Sequence, residues 1–156
     1  DHDTSSAFVR EIIFINYRRS RIFSLVLLVI FIILLALDLV NRARGLWSNQ
    51  WYLNLFYIHL ASVIVYLLAI LSIFISKPAD PDDVTVRHRI GVMAIVVITV
   101  LTQILTTMVD QHLSGQISPF VSMAIGLGAI VLMPLISRTL LYAASLILFF
   151  IKPFGG

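Results

Sequence analysis

The sequence predicts an all-α fold, a polytopic bundle of transmembrane helices with its N-terminus in the cytoplasm. Three observations predict it. First, 60% of the 156 residues are hydrophobic and 12% are charged, whereas a soluble domain carries roughly 25% charged residues. So few ionic groups do not cover the surface of a water-soluble body of this size, and the mean hydropathy is +1.01. Second, the apolar runs are long and unbroken, which favours helices over the short alternating strands of a membrane barrel. Third, the basic residues are unevenly shared between the polar segments.

The chain opens with a basic segment. In "AFVREIIFINYRRSR" (Ala7 to Arg21), Phe8, Ile12, Ile15 and Arg19 recur at spacings of three and four. Val9, Ile13 and Tyr17 widen the apolar face. Residues 1–21 are expected to form an interfacial helix, with Arg10, Arg18, Arg19 and Arg21 toward lipid head groups. The competing reading is that this segment simply begins the first span. Residues 22–156 are expected to form the membrane bundle.

The first span, 22–40, is "IFSLVLLVIFIILLALDLV", which carries a single charge. At about 1.5 Å per residue it crosses a hydrocarbon core of about 30 Å. "NRARGLWSNQ" then forms a polar loop, and Trp47, Trp51 and Tyr52 set its depth at the interface. The second span is expected at 51–75. "SKPADPDDVTVRHR" follows as a water-exposed loop in which Asp83 or Thr85 is placed to cap the next helix. The third span is expected at 90–109. Its β-branched residues would favour a strand in water, but lipid requires the backbone to satisfy its own hydrogen bonds.

The fourth span, 119–136, starts on a proline at a permitted helix position. Its Ala124 and Gly128 are four apart, a small-residue face for close helix packing. Pro134 kinks or ends it. The fifth, 137–151, is short for a full crossing.

A cytoplasmic N-terminus puts Arg10, Arg18, Arg19, Arg21, Lys77, Arg87, Arg89 and Arg138 inside. It leaves Arg42, Arg44 and Lys152 outside. All eleven bases of the chain are then counted, and the bias follows the positive-inside rule. Five spans leave the C-terminus outside, so a sixth crossing beyond Gly156 is expected before any cytoplasmic domain. The net charge of +3 suits anionic lipid and makes no case for nucleic acid. The chain contains no cysteine, which excludes disulfides and thiolate chemistry.

Four polar residues gather toward the outer side in this orientation: Asp38, His59, Asp110 and His112. An ionisable side chain in the hydrocarbon costs at least about 2.5–3.5 kcal/mol on insertion scales and tends to face the bundle. These four are the candidate ligand-binding residues, open to a small solute from the outer side. Each also has a plainer reading. Asp38 lies four residues before Arg42, the spacing of a surface ion pair. His59 suits a neutral imidazole bonded to another helix. Asp110 and His112 suit a solvated helix end, and Gln103 with its neighbouring threonines suits interhelical hydrogen bonding. Two histidines on different helices give no local metal-ligand spacing, so neither a metal nor a haem is expected. Catalytic motifs and cofactor motifs are absent from the sequence.

Three stretches carry a family resemblance. "NYRRSRIFSLVLLVIFIILLALDL" resembles the opening of the six-helix N-terminal membrane region of many bacterial GGDEF proteins. "FYIHLA" is similar to the aromatic–histidine pattern of their second helix. "MVDQHLSGQISPFV" is similar to their third-to-fourth helix turn. The resemblance implies a sensory and anchoring region in the bacterial inner membrane. It implies homodimerisation through membrane helices, which would regulate a cytoplasmic diguanylate cyclase that joins two GTP into cyclic di-GMP. The GGDEF motif itself is not in this chain. The input region of a histidine kinase, a small transporter and a substrate-binding membrane subunit are the competing classes.

Overall fold

The computed structural model describes residues 2–75 and 77–114, together with Ala143. The fourth and fifth spans expected from the sequence lie outside the two described stretches. Within them the chain is helical: α1 (His2–Ala43), α2 (Gln50–Ile75) and α3 (Val86–Ser114), with one short 3-10 turn in each connection. All three helices are long and apolar enough to cross a membrane.

The helix α1 is 42 residues long, or about 63 Å at the standard rise. The basic segment and the first apolar run therefore share one axis, and the interfacial helix expected at 1–21 is not a separate element. The sequence holds no Pro or Gly between Ala7 and Val40 that would break it. The buried face gives a further reason for continuity. Tyr17, Ser20, Ser24, Leu27, Phe31 and Asp38 are buried, and they recur at alternating steps of three and four, or at multiples of seven. That is the seam of a left-handed helix pair, and it runs through the arginine cluster without interruption.

Gly45 ends the first helix. It sits in the left-handed region at φ 77°, where a side chain is disfavoured. Its N–H donates to the Arg42 carbonyl at 2.9 Å, satisfying one of the carbonyls that a helix end leaves open. The chain then reverses. Phe31 stacks on Tyr66 at 5.5 Å between ring centroids, and Asp38 meets His59, so α2 runs antiparallel to α1. Trp51 stacks on His112 and Tyr66 reaches Thr99, so α3 runs antiparallel to α2. The result is an up-down-up bundle with a tryptophan end (Trp47, Trp51) and an arginine end.

At the arginine end the loop of 77–85 folds against α1. Arg10 meets Asp82 at 3.7 Å, and Tyr17 packs edge-on against His88 at 5.0 Å. Asp80 caps the short turn by accepting from the N–H groups of Asp82 and Asp83. Thr85, one of the two residues expected to cap α3, occupies the position before its first turn, and His88 Nδ1 accepts the Thr85 N–H at 2.9 Å. Asp83, the alternative, accepts instead from Ala79 N–H.

Buried positions among the described residues are as often polar as apolar, while large aliphatic side chains such as Ile22, Val29, Ile33, Leu68 and Leu101 are exposed. A water-soluble bundle has the opposite distribution. Four of the buried hydroxyls bond within their own helix: Ser24, Ser62, Thr99 and Thr107 each donate to the carbonyl four residues back, while those of Ser20 and Thr106 have no partner among the described residues. The bond to the carbonyl satisfies those four without water. Tyr66 instead bonds between helices, donating to Thr99 Oγ1 at 2.9 Å.

Candidate functional site

The site lies at the tryptophan end, where the seam of α1 finishes on Asp38. His59 Nδ1 donates to Asp38 Oδ2 at 2.6 Å, and the two side chains are 3% and 4% exposed. The distance is that of a charge-assisted hydrogen bond. Because a carboxylate only accepts, the imidazole proton on Nδ1 is committed to Asp38. The other ring nitrogen, Nε2, is buried and has no hydrogen-bond partner among the described residues.

Local sequence explains each placement. Asp38 is seven residues beyond Phe31, so it shares the inward face. His59 is seven residues before Tyr66 and shares that residue's face on α2. Phe31 therefore packs against both, on Tyr66 and, tilted at 5.8 Å, on His59. The imidazole is held on one side by an apolar ring and on its Nδ1 edge by a carboxylate.

The connection closes over the pair. Trp47 donates its indole N–H to the backbone carbonyl of Asp38 at 3.2 Å and leans on Phe56 at 4.7 Å. Arg42 is turned onto the Trp47 ring, its guanidinium carbon 5.1 Å from the centroid. The surface ion pair of Asp38 with Arg42 is therefore not formed. The carboxylate points into the bundle and takes histidine, and the guanidinium takes an aromatic face. The neutral-histidine reading of His59 placed its partner on another helix, and that is where the partner is.

The other two candidate residues separate. Asp110, on α3, lies within Coulombic reach of both His59 and Asp38. His112 does not join them. Its ring stacks on Trp51 at 3.9 Å, nearly parallel, and Nδ1 donates to the Met108 carbonyl at 2.8 Å. Two residues along a helix turn the side chain by about 200°, so Asp110 and His112 face opposite ways. No group of three or more His, Cys, Asp or Glu side chains is placed to hold a metal ion among the described residues.

Trp47 and Phe31 are the functional neighbours that the sequence reading missed. Phe31 carried a usable signal, its seven-residue spacing from Asp38. Trp47 read only as an interface anchor, because a hydrogen bond to a backbone carbonyl leaves no trace in sequence.

The fold and site thus define an all-α protein with membrane-length helices around a buried carboxylate–imidazole cluster. No protein-family model, curated protein or solved structure matches the chain.

Proposed function

We propose that this chain is the membrane-embedded sensory and anchoring region of a bacterial signalling protein. The observation that carries the reading is the buried Asp38–His59 pair, whose Nε2 has no partner among the described residues. Well-packed apolar residues often replace a buried ion pair at no loss, or with a gain of about 1–4 kcal/mol. Stability alone therefore gives little reason to keep such a pair between membrane helices. An ionisable group at that depth marks a functional site by default.

The chain crosses the inner membrane several times with its N-terminus inside. The eight-to-three division of bases supports that topology, as does the exposure of aliphatic rather than polar side chains. Signalling follows from population shift. A ligand that favours one arrangement of α1, α2 and α3 moves the last helix and whatever is joined to it. The resemblance to GGDEF membrane regions supports a homodimer and a cytoplasmic diguanylate cyclase as the output.

Thermal stability tests the reading. Wild type, His59→Ala and Asp110→Asn are melted in detergent against amino acids, dicarboxylates, polyamines and divalent metals. A compound that raises the melting temperature of wild type alone supports a sensory pocket. No shift from any compound, with both variants merely less stable, leaves an anchor without a ligand.

A further inference from the structure

We propose that the outward face of α1 is the contact between two copies of this chain, paired side by side along the whole helix. This names the surface on which the homodimer of the sensory reading forms. It rests on that reading for its purpose, while the surface follows from α1 itself.

Phe8, Ile12 and Ile15, whose spacing suggested a helix lying on the membrane, belong to a longer series. From Phe8 to Val40 the steps alternate strictly between four residues and three, through Ile22, Val29 and Ile33, and nine of the ten positions are apolar. The tenth is Arg19. Such a repeat, sustained over at least about three to four heptads, is the mark of paired helices. Here it covers about 48 Å of helix.

This series is not the buried seam. Ile15, Ile22 and Val29 lie two residues from Tyr17, Ser20 and Leu27, which turns them about 200° away from that seam. Phe8 is 65% exposed and Ile22 67%, and Val29 and Ile33 are exposed as well. Ile12 and Ile15 are half-buried.

Lipid does not cover the whole strip. Trp47 bonds to the Asp38 carbonyl, so that end of α1 lies level with the tryptophan belt. About 20 residues cross the hydrocarbon, which puts the far boundary near Arg18 and Arg19. The helix continues from there to His2, about 25 Å further. Phe8, Ile12 and Ile15 stand on that arm. The loop of 77–85 and His88 pack against its inner side, and its outer side is apolar where there is no hydrocarbon. A helix that continues the axis of a span does not lie down in the interface.

A second copy fits this strip. Insertion gives every copy the same orientation, so the two helices meet in parallel and the same patch serves both. Ten side chains, most of them about half exposed, offer roughly the 800 Å² per copy of a standard interface. Arg19 falls at the boundary, where its stem stays on the apolar strip and its guanidinium reaches the lipid phosphates. A single polar position of this kind also fixes the register of a helix pair, at a cost in stability.

The test uses the chain in phosphatidylcholine–phosphatidylglycerol vesicles. The chain has no native cysteine, so single cysteines report contacts directly. Oxidation should cross-link two copies at Ile12→Cys, Ile15→Cys and Ile22→Cys, and about tenfold less at Phe14→Cys and Leu28→Cys, which lie off the strip. Energy transfer between labelled copies at falling protein-to-lipid ratio measures association. Ile12→Glu with Ile15→Glu should weaken it about tenfold or more with helix content unchanged, because neither side chain belongs to the buried seam. Arg19→Leu should strengthen it. A chain that stays monomeric overturns the proposal. So does cross-linking without preference for the strip, or association indifferent to the two glutamates. A cysteine at Ile15 that reacts equally fast with a water-soluble thiol reagent in associated and dispersed chains overturns it too. If the copies pair through the strip while no solute changes a fused signalling output, the sensory reading fails and the interface survives. If a solute switches the output and the glutamates leave association intact, the interface fails and the sensory reading survives.

Discussion

His59 donates Nδ1–H to Asp38 across the α1–α2 interface at 2.6 Å, at the point where the buried seam of the first helix ends. One residue of this pair without the other is a buried charge or an unmet polar group. Asp38→Ala and His59→Ala should each destabilise the protein by about 3–5 kcal/mol. The double variant should cost much less than the sum, and Asp38→Leu with His59→Leu should recover most of the loss. Unfolding in mixed micelles, analysed as a double-mutant cycle, measures the coupling. Additive losses would mean that the two side chains act independently.

Tyr66 and Thr99 form the interhelical hydrogen bond near the middle of the bundle. Tyr66→Phe keeps the stack on Phe31 and removes only the hydroxyl. It should cost about 0.6–1.7 kcal/mol, the range for such bonds between membrane helices. Thr99→Val should cost about the same, and adding it to Tyr66→Phe should cost little more. The same unfolding assay reads this, and a larger loss for Tyr66→Phe alone would point to a second partner for the hydroxyl.

Gly45 has room for a side chain, with nothing within 4 Å of an added Cβ. The cost of Gly45→Ala therefore comes from its backbone at φ 77°, about 1–2 kcal/mol for a left-handed residue. Gly45→Asn should cost less, because Asn tolerates that region. Equal losses for both variants would instead place the cause in the Trp47 connection that follows.

The positive-inside orientation predicts opposite labelling of the two polar connections. In whole cells a membrane-impermeant thiol reagent should label a single cysteine replacing Ser114 and leave one replacing Pro81 unlabelled until the cells are permeabilised. Labelling of both from one side would overturn the topology and remove the outer-side access assumed for a ligand.

Much of the fold was legible because it follows from local chemistry. Apolar runs long enough to cross lipid must be helical, whatever they pack against, and α2 begins one residue before its expected start at 51 and ends on the expected residue. The chain passes residue 21, the expected end of the interfacial segment, inside one continuous helix. Charge density suggested a change of environment, while the seam of threes and fours continued through it. Asp38 shows the limit most sharply. Its spacing from Arg42 fits a surface pair as well as its spacing from Phe31 fits a buried face, and one helix alone does not choose between them.

Composition and periods of a few residues were enough to establish that this chain forms helices suited to lipid, where they turn, and that ionisable groups sit near one end. Those properties belong to each segment whatever lies beside it. The choice of His59 as the partner of Asp38, the approach of Asp110 to both, and the turn of His112 onto Trp51 came only from the assembled bundle. They depend on the rotation of each helix about its axis, which is fixed by packing against its neighbours rather than by its own residues.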